Sequence, residues 1–197
     1  MATNDKMTKL VQALCYLAYK QPKKVLGFTK AYKLLWLADR LHLRQYGRTI
    51  TGDRYFALPH GIVPTEAKDI LDGKEDKALV KEDVNEYIEV FDDRHQFKAI
   101  KEPDVNAFSD SDQEVLDEII DKFGAMNGRE LSELSHKFPE WKAYEKNLTD
   151  SSKKSSYSVN MDFFFLSCPK ECADVFDEDP ETLELSKDFY HLSNPVK

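Results

Sequence analysis

The sequence has little cysteine and no long apolar run, and these two absences exclude several classes of protein. Three cysteines occur in 197 residues, and an odd, sparse count does not indicate a disulfide framework. No stretch is long and apolar enough to cross a bilayer. The chain starts MATND, without the basic region and apolar run of a secretory leader. We therefore expect a cytoplasmic protein that does not bind a membrane.

Motifs for catalysis and metal binding are also missing. The chain has no phosphate-cradling glycine loop and no histidines at His-Glu-x-x-His spacing. Cys168, Cys172 and His191 fall short of the four ligands of a zinc site. The polar residues that suit acid–base chemistry by type are Asp39, His42, Asp53, Tyr55 and His60. No activated nucleophile accompanies them, so we expect a protein that is not an enzyme and that holds no metal or cofactor.

The charge balance is acidic. Asp and Glu number 36 against 28 Lys and Arg, so the formal net charge is -8, and the isoelectric point is about 5.2. A field of this sign disfavours direct binding of nucleic acid and of anionic membranes, and it favours a basic partner. Solubility alone also explains an acidic surface, and both explanations stay open here.

Apolar spacing predicts an α+β fold, mainly α-helical, with a small antiparallel β-hairpin. The helical pattern covers residues 5–20 and then runs from Thr29, as N-cap, to Tyr46, with Gly47 in the left-handed conformation past the helix end. Pro64, Ser109 with Asp112, and Asn127 with Glu130 are typical of three further helix starts. Residues 84–91 and 96–100 alternate, which predicts the hairpin, and 54–58 predict a short strand.

The chain divides near residue 150. Residues 1–150 are expected to form one domain, and 151–197 a C-terminal extension that packs on it or is appended to it. Residues 150–156 are polar and typical of a loop. The apolar run 161–166 is interpreted as part of the core, with a partner-binding edge as the alternative. The tail from 168 is acidic and then amphipathic, which indicates a last helix or a docking segment.

One stretch of the first domain has a pattern that no general fold rule demands. It reads KLLWLADRLHLRQYG at 33–47, continues as TITGDRY at 49–55 and ends as LPHGIVP at 58–64. This pattern resembles the core of the Panacea antitoxin domain, the SocA-like family that includes GepA-type phage-associated proteins. The resemblance extends over about residues 5–150. Trp36 stands where the family usually has tyrosine, and Ile62 replaces a proline, while the tail after 150 resembles no family.

The resemblance implies an antitoxin that neutralises a cognate toxin encoded in the adjacent gene by direct protein–protein binding. Toxins of several unrelated classes pair with this family, so the resemblance does not identify the toxin. One branch delivers its toxin to the ClpXP protease, and an adaptor role is therefore the first alternative. A stand-alone phage protein or an enzyme of unknown activity is the second alternative.

The expected docking surface combines the second helix with the irregular segment 48–64. The partner-binding residues predicted for it are Asp39, Arg40, His42, Arg44, Tyr46, Asp53, Arg54, Tyr55, His60 and Gly61. Loops on a rigid scaffold often carry binding, and Arg and Tyr often anchor interfaces. For Asp39 and His42 we favour the other interpretation, a hydrogen-bond network that holds the irregular segment. Glycines 52 and 61 are expected to serve backbone geometry.

Overall fold

Two long helices lie at the centre of the fold, in a computed structural model that describes residues 3–74, 78–91, 93 and 95–195. Helix α1 spans Thr3–Tyr19 and α2 spans Phe28–Tyr46. Gly47 ends α2 with a φ of +66°, which confirms the predicted left-handed position. The predicted N-cap Thr29 is wrong, because Gly27 occupies the N-cap position. Thr29 lies inside the first turn.

Two small antiparallel sheets accompany the helices. In the first, β5 (Gln96–Ala99) lies between β1 (Val25–Gly27) and β4 (Ile88–Phe91). In the second, β2 (Tyr55–Leu58) lies between β3 (Gly61–Pro64) and β6 (Tyr157–Ser158). Both sheets are antiparallel throughout. The predicted α+β class and the hairpin of β4 and β5 are confirmed.

The first half of the first predicted hairpin strand, residues 84–87, is helical instead. Residues Ala78–Tyr87 form α4, so the strand starts only at Ile88. Val80, Val84 and Tyr87 are spaced four and three apart, which places them on one helical face. All three pack against the core. Tertiary burial of this face therefore outweighs the weak alternation in the sequence.

The remaining helices include three that begin next to the predicted starts at Pro64, Ser109 and Asn127. In chain order, the remaining helices are α3 (Thr65–Leu71), α5 (Asp110–Phe123), α6 (Gly128–Ser135), α7 (Pro139–Lys142), α8 (Glu145–Leu148), α9 (Ala173–Phe176) and α10 (Pro180–Ser193). The capping boxes of Ser109 with Asp112 and of Asn127 with Glu130 are both present. No helix in the described ranges combines the length and apolar character that a membrane span requires.

Helix α2 is the buried axis of the fold. Helices α1, α5, α6 and α10 and strand β3 all pack against it. Every residue from Ala31 to Arg44 is buried, including those whose side chains are charged. An amphipathic surface helix would leave its polar face in water. The polar side of α2 therefore requires partners inside the protein.

The chain after residue 150 supplies part of that cover. Residues Met161–Phe165 form a 3-10 helix that buries Phe164 and Phe165, and Phe176 is buried further along. The interpretation of this apolar run as core is confirmed at Phe164 and Phe165, whereas Leu166 is half exposed. These contacts do not test whether residues 1–150 fold alone, and the division of the chain near 150 stays a prediction.

Candidate functional site

The irregular segment is shorter than the predicted 48–64, because 55–58 and 61–64 form β2 and β3, and it consists of residues 48–54. These residues have no ladder hydrogen bonds, and the Asp39 carboxylate holds them in place. Oδ1 accepts from the backbone N–H of Ile50 at 2.8 Å and of Thr51 at 3.0 Å. Oδ2 accepts from the hydroxyl of Thr51 and from that of Tyr55, the latter at 2.6 Å. Four donors from residues 50–55 therefore converge on a single buried acid of α2.

Burial of the Asp39 carboxylate is electrostatically unfavourable. Burial raises the pKa of the Asp39 carboxyl, and the hydrogen bonds from Thr51, Tyr55 and Ile50 offset that only in part. Its side chain is fully buried, and no carboxylate oxygen faces solvent. These contacts are those of the structural network that we favoured for Asp39.

Asp53 fixes the other end of the segment to α3. Its carboxylate accepts from the backbone N–H of Glu66 at 2.9 Å and of Ala67 at 2.8 Å, so it satisfies two free donors in the first turn of α3. Burial raises the pKa of Asp53 to about 6, against the lowering effect of these backbone donors. Asp53 acts here as the acceptor that replaces a conventional N-cap, because the N-cap residue is Pro64.

His42 and Asp112 connect the segment to α1 and α5. Nδ1 of His42 lies 2.8 Å from the carbonyl oxygen of Arg48, and Nε2 lies 3.1 Å from Oδ1 of Asp112. The Asp112 carboxylate also accepts from Lys9 at 2.6 Å and from Arg48 at 2.9 Å. Burial alone would raise the pKa of Asp112, but the bonds from His42 and Lys9 hold it well below its usual range. Both ring nitrogens of His42 therefore have partners within the chain, as the hydrogen-bond network that we favoured for it requires.

Arg40 forms a buried ion pair across the core. Its Nε donates to Glu140 at 2.7 Å, and neither side chain is exposed. Its Nη2 donates to the carbonyl oxygen of Leu166 at 2.6 Å. The guanidinium also lies over the rings of Phe138 and Phe176. Arg40 therefore connects α2 both to α7 and to residues 164–178, which are called the C-terminal segment below.

Arg44 binds the C-terminal segment more extensively. It donates to the carbonyl oxygens of Phe164 and Leu166, both at 3.0 Å, and to that of Phe176 at 2.8 Å. Its Nε donates to Glu178 at 2.6 Å. Arg44 thus supplies the hydrogen bonds that these three backbone carbonyl groups would otherwise make with water.

The structure separates the predicted partner-binding residues into two groups. The buried group is Asp39, Arg40, His42, Arg44, Asp53, Tyr55 and Gly61. The exposed group is Tyr46, Arg54 and His60. A buried side chain cannot contact a second protein in this conformation. In this structure α5, α6, α10 and the C-terminal segment cover the polar side of α2, and the role of these residues in partner binding stays a prediction.

Gly61 lies over a buried amine that the sequence pattern did not reveal. Its φ is +100°, and a Cβ there would collide with Oγ of Ser135 and come within 2.7 Å of Nζ of Lys33. Lys33 is buried and donates to the carbonyl oxygen of Ile62 at 2.7 Å. Burial lowers the pKa of Lys33 to about 7. A lysine before an apolar run gives no sequence signal that its amine is enclosed.

Two depressions flank the exposed edge of the segment. One, of about 750 Å³, includes Lys6, Lys9 and Phe108 in its lining. The other, of about 390 Å³, includes Arg54 and Tyr190. Arg48, Thr49 and Gly52 line both, so the edge of the segment is the wall between the two depressions. Within the part of the chain that the structure describes, no cluster of three potential metal ligands is present.

Comparison with known families gives one match. The sequence model of a family described as "Antitoxin SocA-like, Panacea domain" matches residues 32–142, which is more than half of the chain. The match starts in α2 and ends with α7, so it includes the irregular segment and excludes α1 and α10. It is shorter than the resemblance over 5–150 indicated. No match was found among curated proteins or among solved structures.

Proposed function

Because the chain belongs to the SocA-like Panacea antitoxin family, we propose that it neutralises a toxin encoded in the adjacent gene by binding that toxin directly. The family match is the observation that carries this proposal. It supports the antitoxin role in general terms, and the cognate toxin, the complex and its cytoplasmic location belong to the proposal.

The geometry of the irregular segment supports a binding role. Asp39 and Asp53 hold the segment from inside, so its outer edge is fixed before any partner arrives. A pre-ordered surface loses less conformational entropy on binding than a mobile loop does. The side chain of Arg54 is exposed on this edge, and that of Tyr46 is partly exposed at the end of α2. We propose that the toxin contacts this edge.

A mechanism by binding, without catalysis, agrees with how the polar groups are used. Asp39 and His42 of α2, which suit acid–base chemistry by type, are engaged in hydrogen bonds within the protein. An acid–base catalyst must instead reach a substrate proton within hydrogen-bonding distance. The net charge of -8 would speed association with a basic toxin and make the association rate depend on salt.

Co-expression tests this proposal. The adjacent reading frame is induced in cells with and without this protein, and a reading frame from a distant locus serves as the control. We expect growth arrest that only this protein relieves, together with recovery of a stable complex on pull-down. No rescue and no complex would contradict the proposal. Loss of the toxin only in cells that contain ClpXP would instead support the adaptor role.

A further inference from the structure

Helix α10 carries an apolar ridge that the rest of the protein leaves in solvent. Leu185, Phe189 and Leu192 are 63%, 53% and 82% exposed. They are spaced four and three apart, so they lie on one face of the helix. Exposed apolar side chains are ordinary when they are scattered singly, but a contiguous set of them marks an interaction site.

The ridge is a second apolar face, distinct from the one that holds α10 in place. Leu183, Ser186 and Tyr190 form the face directed towards the core, where the Tyr190 ring lies 5.9 Å from that of Phe165. A surface helix needs only one apolar face to pack on its own domain. Leu185 and Leu192, the two most exposed residues of the ridge, are therefore not needed to hold α10 in place, whereas Phe189 also approaches Gly47.

The position of the ridge is fixed by a close approach to α2. At Gly47 a Cβ would come within 2.6 Å of the Ser186 carbonyl oxygen and 2.8 Å of the Phe189 ring. Phe189 therefore packs over Gly47. The side chain of the preceding residue, Tyr46, is 42% exposed. The ring of Tyr46 lies 4.6 Å from that of His42, and Tyr190 of α10 lines the depression beside Arg54, so the ridge lies next to the irregular segment.

The charge around the ridge is strongly acidic. Residues 173–195 contain seven carboxylates and one lysine, which accounts for six of the eight excess negative charges of the chain. Glu178 is held by Arg44 and Asp174 by Lys122. Helical spacing places Glu181, Glu184 and Asp188 beside the ridge. A partner that covers the ridge therefore meets an apolar strip bordered by carboxylates.

We propose that Leu185, Phe189 and Leu192 form the apolar part of the docking surface for the toxin, beside the edge of the irregular segment, and that they receive a toxin segment whose apolar stripe is bordered by lysine or arginine. This inference rests on the proposed antitoxin function and specifies the surface and the partner chemistry. A second copy of this chain would bring two acidic borders together, which disfavours it. An anionic lipid surface is disfavoured by the same charge.

The test measures binding of the purified product of the adjacent gene to wild-type protein and to two ridge variants. The variants are Leu185→Ser with Leu192→Ser, at the two most exposed positions, and Phe189→Ser. We expect the dissociation constant to rise by roughly thirtyfold or more for each variant. Ile100→Ser is the matched control, because Ile100 is also half exposed but follows β5, and we expect a change below about twofold.

The outcomes separate this inference from the proposed function. If the wild-type protein binds the toxin and the double serine variant, with unchanged thermal unfolding, binds it equally well, the toxin docks elsewhere and the inference is overturned. If the wild-type protein itself does not bind, the proposed function fails.

Other occupants of the ridge are tested without the toxin. Sedimentation tests for a dimer, and flotation tests for binding to phosphatidylglycerol vesicles. A dimer or vesicle binding that is present in wild type and lost in Leu185→Ser with Leu192→Ser would overturn the inference. We expect a monomer that does not float. We also expect that Glu184→Lys with Asp188→Lys slows association with the toxin and weakens its dependence on salt.

Discussion

Helices α2 and α10 distribute their side chains in opposite ways. Helix α2 encloses Asp39, Arg40 and Arg44 in the core, whereas α10 exposes Leu185 and Leu192 to solvent. A buried charge costs free energy unless it has hydrogen-bond partners. A contiguous exposed apolar patch is rare unless a partner covers it. In α2 these partners are present, because each of the three charged groups has hydrogen-bond partners within the chain. For the exposed leucines of α10, we infer that the partner is a second protein.

The boundary of the family match gives this contrast a meaning. Helix α2 lies almost wholly inside the matched residues 32–142, and α10 lies outside them. The buried charged residues of α2 therefore lie within the family match, and the apolar ridge lies in a part that the family model does not describe.

The largest expected effect is a loss of stability when a buried charged residue of α2 is removed. Asp39→Ala leaves two backbone donors and two hydroxyl groups without their acceptor in a buried position. We expect it to lower the free energy of unfolding by about 4 kcal/mol, measured by urea denaturation. Tyr55→Phe removes only one of the four donors and should cost about 1–2 kcal/mol. A loss below about 1 kcal/mol for Asp39→Ala would show that the carboxylate is dispensable.

The next effect acts at the link between the two regions. Arg44→Met removes the donor from three backbone carbonyl groups and from Glu178, and we expect a loss of about 3 kcal/mol. Limited proteolysis should then cut first within 164–193. Arg54→Met is the control, because that side chain is exposed, and it should change stability by less than about 0.5 kcal/mol. Equal effects of the two substitutions would contradict the role of Arg44.

A smaller effect concerns pH. Burial raises the pKa of Asp53 to about 6 from an ordinary value of 3.8, so between these values the folded protein binds more protons than the unfolded chain. The contribution of Asp53 to stability is therefore largest below about pH 4 and falls by about 2–3 kcal/mol as pH rises through 6. Urea denaturation over this range should show that wild type loses about 2–3 kcal/mol more than Asp53→Asn, since the other shifted groups are common to both proteins. Parallel curves would contradict it.

The smallest effect is expected on the ridge itself. Leu192→Ser changes a side chain that is 82% exposed, and it should alter the free energy of unfolding by less than about 0.5 kcal/mol. Thermal and urea denaturation check this. A loss of more than about 1 kcal/mol would mean that the ridge packs within the chain, and the contrast with α2 would then disappear.

Local sequence signals predicted much of the fold. The capping pairs of Ser109 and Asn127 and the left-handed Gly47 depend on neighbouring residues only, and the structure confirms all three. Helix α4 was missed, because Val84 to Val90 alternate while Val80, Val84 and Tyr87 also fit a helix. Long-range packing decides between two such patterns, and a single sequence does not contain that information.

The candidate site was predicted less well, for a physical reason. Charged residues at 39, 40 and 44 are typical of a solvent-facing helix side, since such groups are rarely buried without partners. Their partners come from residues 50–55, 140 and 164–178, far along the chain. The exposed ridge was equally hidden, because the spacing of Leu185, Phe189 and Leu192 is also that of a face packed on a core.

Hydrogen exchange of this protein, alone and in complex with the product of the adjacent gene, tests the central claim most directly. We predict that the complex adds protection to the amides of 185–193 and of the irregular segment, while the interior of α2, already protected, stays unchanged. Added protection on the opposite face, around β4 and β5, with none in α10, would contradict the account.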